Sequence, residues 1–314
     1  MELQEIGIIA GRIRESVSRV IVNKQNIIDL SLICIITGGH MLLEDVPGTG
    51  KTVFARALAA SVDSSFRRIQ FTPDLLPSDV TGINFYSQKD SDFTFRPGPI
   101  FSNIVLADEI NRATPRTQSA MLECMEEKQV TIDGETRKLA TPFFVIATQN
   151  PVEIQGTFPL PEAQLDRFLI KTSMGYPDTQ SAIDILKRFK ESNPLSEVKA
   201  AVTAKEICEA SDIYSKVMIS DEIMEYIIKI AEATRKHPGV HLGVSPRGTL
   251  SLMKAVQVYA LLKERTFVIP DDVKAMAVPV LAHRIIPRGL AGENTNPGEK
   301  IVKDILQQTT VPLE

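Results

Sequence analysis

The chain has 314 residues, 43% hydrophobic and 24% charged, enough to bury one large core or two smaller ones without a covalent staple. Its formal charge is −4 and its pI about 5.7, so no global basic field exists to hold a nucleic-acid backbone, and the ordinary apolar fraction excludes extended disorder. Three cysteines, Cys34, Cys124 and Cys208, lie far apart in apolar surroundings without CxxC spacing and read as buried thiols of a reducing compartment.

In chain order, "MELQEIGIIAGRIRE" carries acids where an export signal carries bases. Ile6, Ile9, Ile13, Val17 and Val20 fall at helical spacing, so the chain opens on an amphipathic helix. No apolar run approaches the ~18 residues of a bilayer span, which points to the cytoplasm. A strand from Met41 to Leu43 enters the glycine-rich "EDVPGTGKT", and "TVFARALAASV" continues with helix formers. "RRIQFT", "SNIVLADE" and "PFFVIATQN" are further strands, separated by helical stretches such as "PRTQSAMLECMEEK". Asp133-Gly134 between β-prone segments predicts a hairpin. Apolar strands alternating with helices define an α/β core with a parallel sheet covered on both faces.

After Pro177 the pattern changes to amphipathic helices alone, expected over residues 204–215, 221–234, 246–263 and 271–282. Ser220 and Ser245 are placed as helix caps, and Pro246 suits a first helical position. Two domains follow: an α/β core over 1–177 and an all-helical domain over 178–314.

The glycine-rich loop carries the first functional signal. In G-x-x-x-x-G-K-[ST], backbone N–H groups surround phosphates, the lysine reaches the terminal ones and the hydroxyl binds magnesium. Gly50, Lys51 and Thr52 fit, and Gly48 adds freedom, while Asp45 stands where the first glycine belongs and is expected to point outward. A glycine-rich turn with a chance Lys-Thr is the bland alternative. It loses ground to "NIVLADE", whose Asp108 and Glu109 end a strand beside the loop: phosphoryl transfer to water needs one carboxylate for magnesium and one to activate water. The strand "PFFVIATQN" sets Asn150 near the terminal phosphate, where an amide can position water.

These residues resemble the MoxR family of AAA+ ATPases from about Arg12 to Ile285. The stretches that carry the likeness are "LLEDVPGTGKT", "GPIFSNIVLADEINRATPRTQSAMLECMEEKQV", "ATQNP", "GTFPLPEAQLDRF" and "GVSPRGTLSL". The resemblance implies an AAA+ P-loop core followed by a helical lid, with ATP or ADP and Mg2+ bound between subunits of a homo-oligomeric ring, a hexamer. Carried over, Pro47, Gly48, Thr49, Gly50, Lys51, Thr52 and Val53 form the Walker A contacts. Thr52 and Asp108 serve the metal, Glu109 activates water, and Asn150 is sensor 1. Arg167 takes the place of the arginine finger offered to a neighbour, with Arg112 and Arg116 as rivals for interface contacts. Arg247 matches the sensor 2 arginine, at a helix start from which it can swing toward the γ-phosphate.

One further departure stands out. Asn23 replaces a glycine in the segment that should pass the adenine, although Asn tolerates left-handed angles. Residues 72–101 look like the insert of this AAA+ branch, with Tyr86, Phe93 and Phe95 either in a hairpin near the ring axis or in a small packing cluster. The resemblance further implies a chaperone-like remodeller that assists maturation or cofactor insertion of partners, often ones with a von Willebrand factor A domain. Two other readings are weighed. A nucleotide-gated binding scaffold would have no use for a water-activating acid, and a nucleic-acid motor is opposed by the acidic balance. His40, His237, His241 and His283 read as structural.

Overall fold

The N-terminal apolar spacing closes as α1 (Leu3–Ser18), with Ile6, Ile9, Ile13 and Val17 buried. α2 (Gln25–Thr37) follows, buried along most of its length. The computed structural model describes residues 1–89, 91–151, 156–191, 193–289 and 296–312. Then come β1 (Met41–Glu44), α3 (Lys51–Ser61), β2 (Phe66–Gln70), α4 (Pro77–Thr81), the hairpin β3 (Gly82–Ser87) and β4 (Asp92–Pro97), and β5 (Ile104–Asp108). α5 (Pro115–Glu127), the hairpin β6 (Gln129–Ile132) and β7 (Glu135–Lys138), β8 (Phe144–Gln149), α6 (Glu162–Leu165) and β9 (Ile170–Thr172) complete the sheet domain. Beyond it lie α7 (Thr179–Glu191), α8 (Ala204–Ile213), α9 (Asp221–Lys236), β10 (Val240–Leu242), α10 (Pro246–Leu262), α11 (Pro270–Leu281), β11 (Ile286–Pro287) and α12 (Pro297–Gln308).

Five parallel strands run in the order β2-β5-β8-β1-β9. Their side chains alternate between two cores, because successive Cβ atoms point to opposite faces. Met41, Leu43, Leu106 and Ile146 enter one core, and Leu42, Val105, Ala107 and Val145 enter the other with α5 residues Met121, Leu122 and Met125. The first core does not stop at the sheet: it takes in α1, α2 and α3 and continues into Ile227, Leu252, Val256 and Val280 of the helical region. α2 is the shared layer, packed against β9 on one side and α8 and α10 on the other.

The expected strands all form. β9 was not expected, being a three-residue edge strand, too short to show a period. Asp133 (φ 50°) and Gly134 (φ 85°) make the expected two-residue turn between β6 and β7. Ser220 Oγ accepts from Ile223 N at 3.4 Å and Ser245 Oγ from Gly248 N at 3.2 Å, so both caps hold. The second half is helical but carries one small antiparallel ladder, β10 with β11, which closes the loop between α9 and α10 against the exit of α11. α12, not anticipated, buries Ile301, Val302 and Ile305. Cys34 and Cys124 are buried, whereas Cys208 is partly exposed, on α8.

Candidate nucleotide site

In a parallel sheet, the loops after the strands share one edge, and ligands bind there. β5, β8 and β1 are consecutive neighbours, so their carboxyl ends set Asp108 and Glu109, Asn150 and the glycine loop side by side. Pro47, Gly48, Gly50, Lys51, Thr52, Val53, Asp108, Glu109 and Asn150, nine of the expected site residues, line one cavity of about 360 Å3. Gly48 (φ 85°) and Gly50 (φ 90°) adopt the left-handed conformation that side chains resist, which turns the loop sharply into α3.

Lys51 Nζ donates to the carbonyls of Asp45 (3.1 Å) and Val46 (3.2 Å), spanning the loop from within. Gly50 caps α3 without a side-chain acceptor, and the Thr49 hydroxyl is buried with no hydrogen-bond partner. A buried hydroxyl without a partner costs free energy, and a phosphate oxygen is the kind of acceptor that would satisfy it. The donor set of loop amides, Lys51 and two hydroxyls therefore fits a polyphosphate, and Thr52 with Asp108 offers oxygen ligands of the kind Mg2+ takes.

Asp45 does not face this cavity, and it does not face water. It is 5% exposed, and its carboxylate accepts from Ser173 Oγ (2.8 Å), Met174 N (2.6 Å) and Gly175 N (3.0 Å). The acid that replaces the loop's usual first glycine thus pins the segment leading from β9 to the helical region onto the glycine loop. The outward orientation is correct with respect to the phosphate side; its burial is the correction.

Next to the loop, a second cavity of about 290 Å3 is lined by Val20, Ile21, Val22, Met174, Ile185 and Phe189 together with Gly48, Thr49 and Gly50. An apolar slot that shares walls with the phosphate cavity suits a purine. Asn23 adopts φ 53°, and its amide donates to Asp178 Oδ2 at 3.3 Å, shaping this slot from behind rather than lining it.

The two acids are held differently. Asp108 Oδ1 accepts from Thr148 Oγ1 (2.6 Å), and Oδ2 accepts from Arg68 Nε (3.1 Å) and Nη2 (2.6 Å). Glu109 is a non-glycine residue at φ 58°, a strained conformation of the kind found at functional sites. Its amide donates to Thr148 Oγ1 (2.8 Å), and its carboxylate accepts from Gln70 Nε2 (2.8 Å) and Arg112 Nη1 (3.2 Å). Arg68, Gln70 and Thr148 were missed as site residues. A signal was present for Arg68 and Gln70, polar side chains two apart on one strand and so on one face, and for Thr148, one of the polar residues that end β8.

Arg167 and Arg247 are not in this cavity. They share a separate crevice of about 320 Å3 with Glu126, Lys128, Asp166 and Arg284. Arg167 makes no side-chain hydrogen bond or ion pair among the described residues, whereas Arg247 pairs with Glu126 and stands 4.0 Å from Asp166. In this arrangement the start of α10 faces Glu126 at the end of α5 and Asp166, and Arg247 does not line the cavity of the glycine loop. Arg112, the other candidate for an interface, is engaged with Glu109, and Arg116 is exposed on α5.

The sheet order, the loop after β1 and the following helical region define an AAA-type nucleotide-binding protein. Residues 40–170 match the model of the ATPase family associated with various cellular activities (AAA), and residues 232–305 match the AAA lid domain. The chain is 51% identical to the uncharacterized protein YeaC of Bacillus subtilis, over 97% of this chain and 95% of that one. It is 37% identical to Chaperone MoxR1 of Mycobacterium tuberculosis (94% and 80% covered) and 30% identical to Protein MoxR of Methylorubrum extorquens (88% and 87%). The crystal structure of a protein from Cytophaga hutchinsonii assigned as an ATPase superposes with a TM-score of 0.89 at 38% identity, covering 98% of both chains. The chain belongs to the MoxR family of AAA+ ATPases. No helix among the described residues is long and apolar enough to cross a membrane.

Proposed function

We propose that this chain hydrolyses Mg-ATP as one subunit of a ring, with the two halves of each active site supplied by neighbouring copies. The observation that carries the reading is the separation of its charges. Lys51, Thr52, Asp108, Glu109 and Asn150 line one cavity, while Arg167 and Arg247 line another. A phosphoryl-transfer site needs both sets, since the loop binds the triphosphate and arginines neutralise the charge that develops as the bond to the γ-phosphoryl breaks. One copy alone does not bring them together; two copies can.

In this reading the loop amides and Lys51 bind and orient the triphosphate, with the purine in the slot beside Val20–Val22. Mg2+, held by Thr52 and Asp108, supplies Lewis-acid stabilisation of the phosphate charge. Glu109 accepts the proton of the attacking water, and Asn150 positions that water. Arg167 and Arg247 act on the nucleotide of the next copy. The core is taken as residues 1–177 and the lid as 178–314, hinged at the segment Asp45 holds. The reading is completed by a hexameric, cytoplasmic ring that acts on partner proteins, carriers of a von Willebrand factor A domain included, and the word chaperone in the name of the mycobacterial relative supports action on a partner.

The test is ATP turnover against protein concentration for wild type, Glu109→Gln and Arg167→Ala, with the mass measured at each concentration. Activity per subunit rising with assembly, with both variants binding ATP and failing to hydrolyse it, is the expected result. Activity flat with concentration and indifferent to Arg167 would refute the shared site.

A further inference from the structure

β2 is an edge strand, and it sends Arg68 and Gln70 toward the acids at the end of β5. Arg68 places two donors on one oxygen, Asp108 Oδ2, and Nη2 also donates to Gln70 Oε1 at 2.5 Å. The other oxygen of Asp108 already accepts from Thr148. Oδ2 is thus taken up by both Arg68 donors and one of the two acceptor sites of Oδ1 by Thr148, so a divalent cation approaching Asp108 meets the charge of the guanidinium and a largely filled acceptor set.

Thr148 is poorly suited to leave. It is fully buried, and its hydroxyl oxygen accepts from the Glu109 amide, which commits its proton to Asp108. Arg68 is well suited: its side chain is 44% exposed against 12% for Asp108, and it borders the same cavity as Lys51 and Thr52. A half-exposed ion pair is weakly held. A guanidinium released there has phosphate oxygens within the same cavity as a new partner, in the planar geometry that suits bidentate binding.

The geometry points to Arg68 as an exchanging counter-ion of the nucleotide site. It pairs with Asp108 until a divalent cation takes that carboxylate, then turns to the phosphates of a nucleoside triphosphate in the same cavity. This rests on the Mg-ATP reading above and adds a consequence to it. Metal alone would leave the displaced Arg68 with only the neutral Gln70 amide as a partner, whereas metal with triphosphate gives both cations an anionic one. Arg68 thereby makes metal and nucleotide binding cooperative.

The experiment measures Mn2+ affinity of the full chain, from the electron paramagnetic resonance signal of free Mn2+, with and without a non-hydrolysable ATP analogue. Wild type is expected to bind Mn2+ weakly alone and tightly with the analogue. Arg68→Gln is expected to bind Mn2+ alone roughly fivefold to tenfold more tightly, so that the tightening caused by the analogue shrinks. Arg68→Lys, which keeps a charge, should lie between the two. Arg68→Met serves as a second neutral variant should the glutamine variant fold poorly, as judged by thermal melting without ligand. Neutral variants whose Mn2+ affinities match wild type in both conditions would overturn the inference and leave the ATP site standing. A wild type that gains no Mn2+ affinity from the analogue would overturn the ATP reading and the inference together.

Discussion

Arg284, 2% exposed, donates from Nε to Asp166 Oδ1 at 2.7 Å, while Arg247 stands 4.0 Å from the other oxygen of the same carboxylate. Nη2 donates to the carbonyls of Phe168 (2.7 Å) and Asp166 (3.2 Å), and Nη1 to those of Leu169 (3.2 Å) and Val280. One buried guanidinium from the helical region thus holds the residues on both sides of Arg167. Removing it takes the donor from Asp166 Oδ1 and from the Leu169 carbonyl and leaves the Phe168 carbonyl to His283 Nε2 alone. Arg284→Ala is expected to destabilise the fold by about 3 kcal/mol, the usual scale for breaking a buried pair, measured by urea unfolding. It should also raise the protein concentration needed for half-maximal ATP turnover, although its own side chain is buried away from the glycine loop.

Asp45 gives a prediction that runs against the motif. Glycine is the commoner residue at this loop position, but Asp45 is not among the residues with positive φ, so its backbone has no need of glycine. Its carboxylate collects three hydrogen bonds, two of them from backbone amides of residues 174–175. Asp45→Gly should therefore destabilise by about 3 kcal/mol and loosen the helical region. Hydrogen exchange of the amides at 174–175 would register the change. Unchanged protection in the variant would mean the clamp is dispensable.

The shared crevice of Arg167 and Arg247 makes a mixing experiment decisive. Lys51→Ala has an impaired loop and intact arginines; the double variant Arg167→Ala with Arg247→Ala has the reverse. Each alone should lose at least about a hundredfold in turnover, the low end for an arginine acting at a phosphoryl group being about a thousandfold. Mixed in equal amounts, they should recover part of the activity, because about a quarter of the interfaces join an intact loop to intact arginines. If Arg167→Ala alone is rescued by mixing and the double variant is not, Arg247 serves the loop of its own chain.

Acid sensitivity has a named source. Burial pushes the His40 imidazole down to about 4 from 6.5, with smaller opposing effects from the Met125 carbonyl and Glu126. Val145 N donates to Nδ1 at 3.0 Å, so the neutral ring carries its proton on Nε2 and donates it to Met125 O at 3.0 Å. Above pH 6.5 both folded and unfolded chains hold the ring neutral, and no stability is lost. As pH falls from about 6.5 to about 4 the unfolded chain takes up a proton that the folded one refuses, which costs up to about 3 kcal/mol. Burial also lowers His283, beside Arg284, in the same direction. Unfolding free energies measured between pH 7 and pH 4.5 should fall steadily, and His40→Asn should flatten that slope whatever its effect at neutral pH.

Much of the fold was legible because its signals are local. The helical spacing from Ile6 to Val17, the turn at Asp133-Gly134, the serine caps and the apolar strands each depend on neighbours within one or two turns of chain. The acids and the glycine loop were legible for a related reason: strand ends in a parallel sheet meet at one edge, so a strand pattern already implies proximity. β9 and the β10–β11 pair were not, since strands of two or three residues carry no period and exist only where a partner edge is available.

The sequence by itself determined which groups this protein has for polyphosphate chemistry, and on which kinds of element they lie, because backbone periodicity and turn chemistry act over a few residues. Only the tertiary structure decided their alliances: Arg68 with Asp108, Gln70 with Glu109, Asp45 with the segment after β9, and Arg247 with Arg167 in a crevice away from the loop. Those pairings join residues from 39 to 130 positions apart wherever a hydrogen bond forms directly. Charge and hydrogen-bond complementarity act through space, and chain order carries no measure of which side of a packed helix an arginine will face.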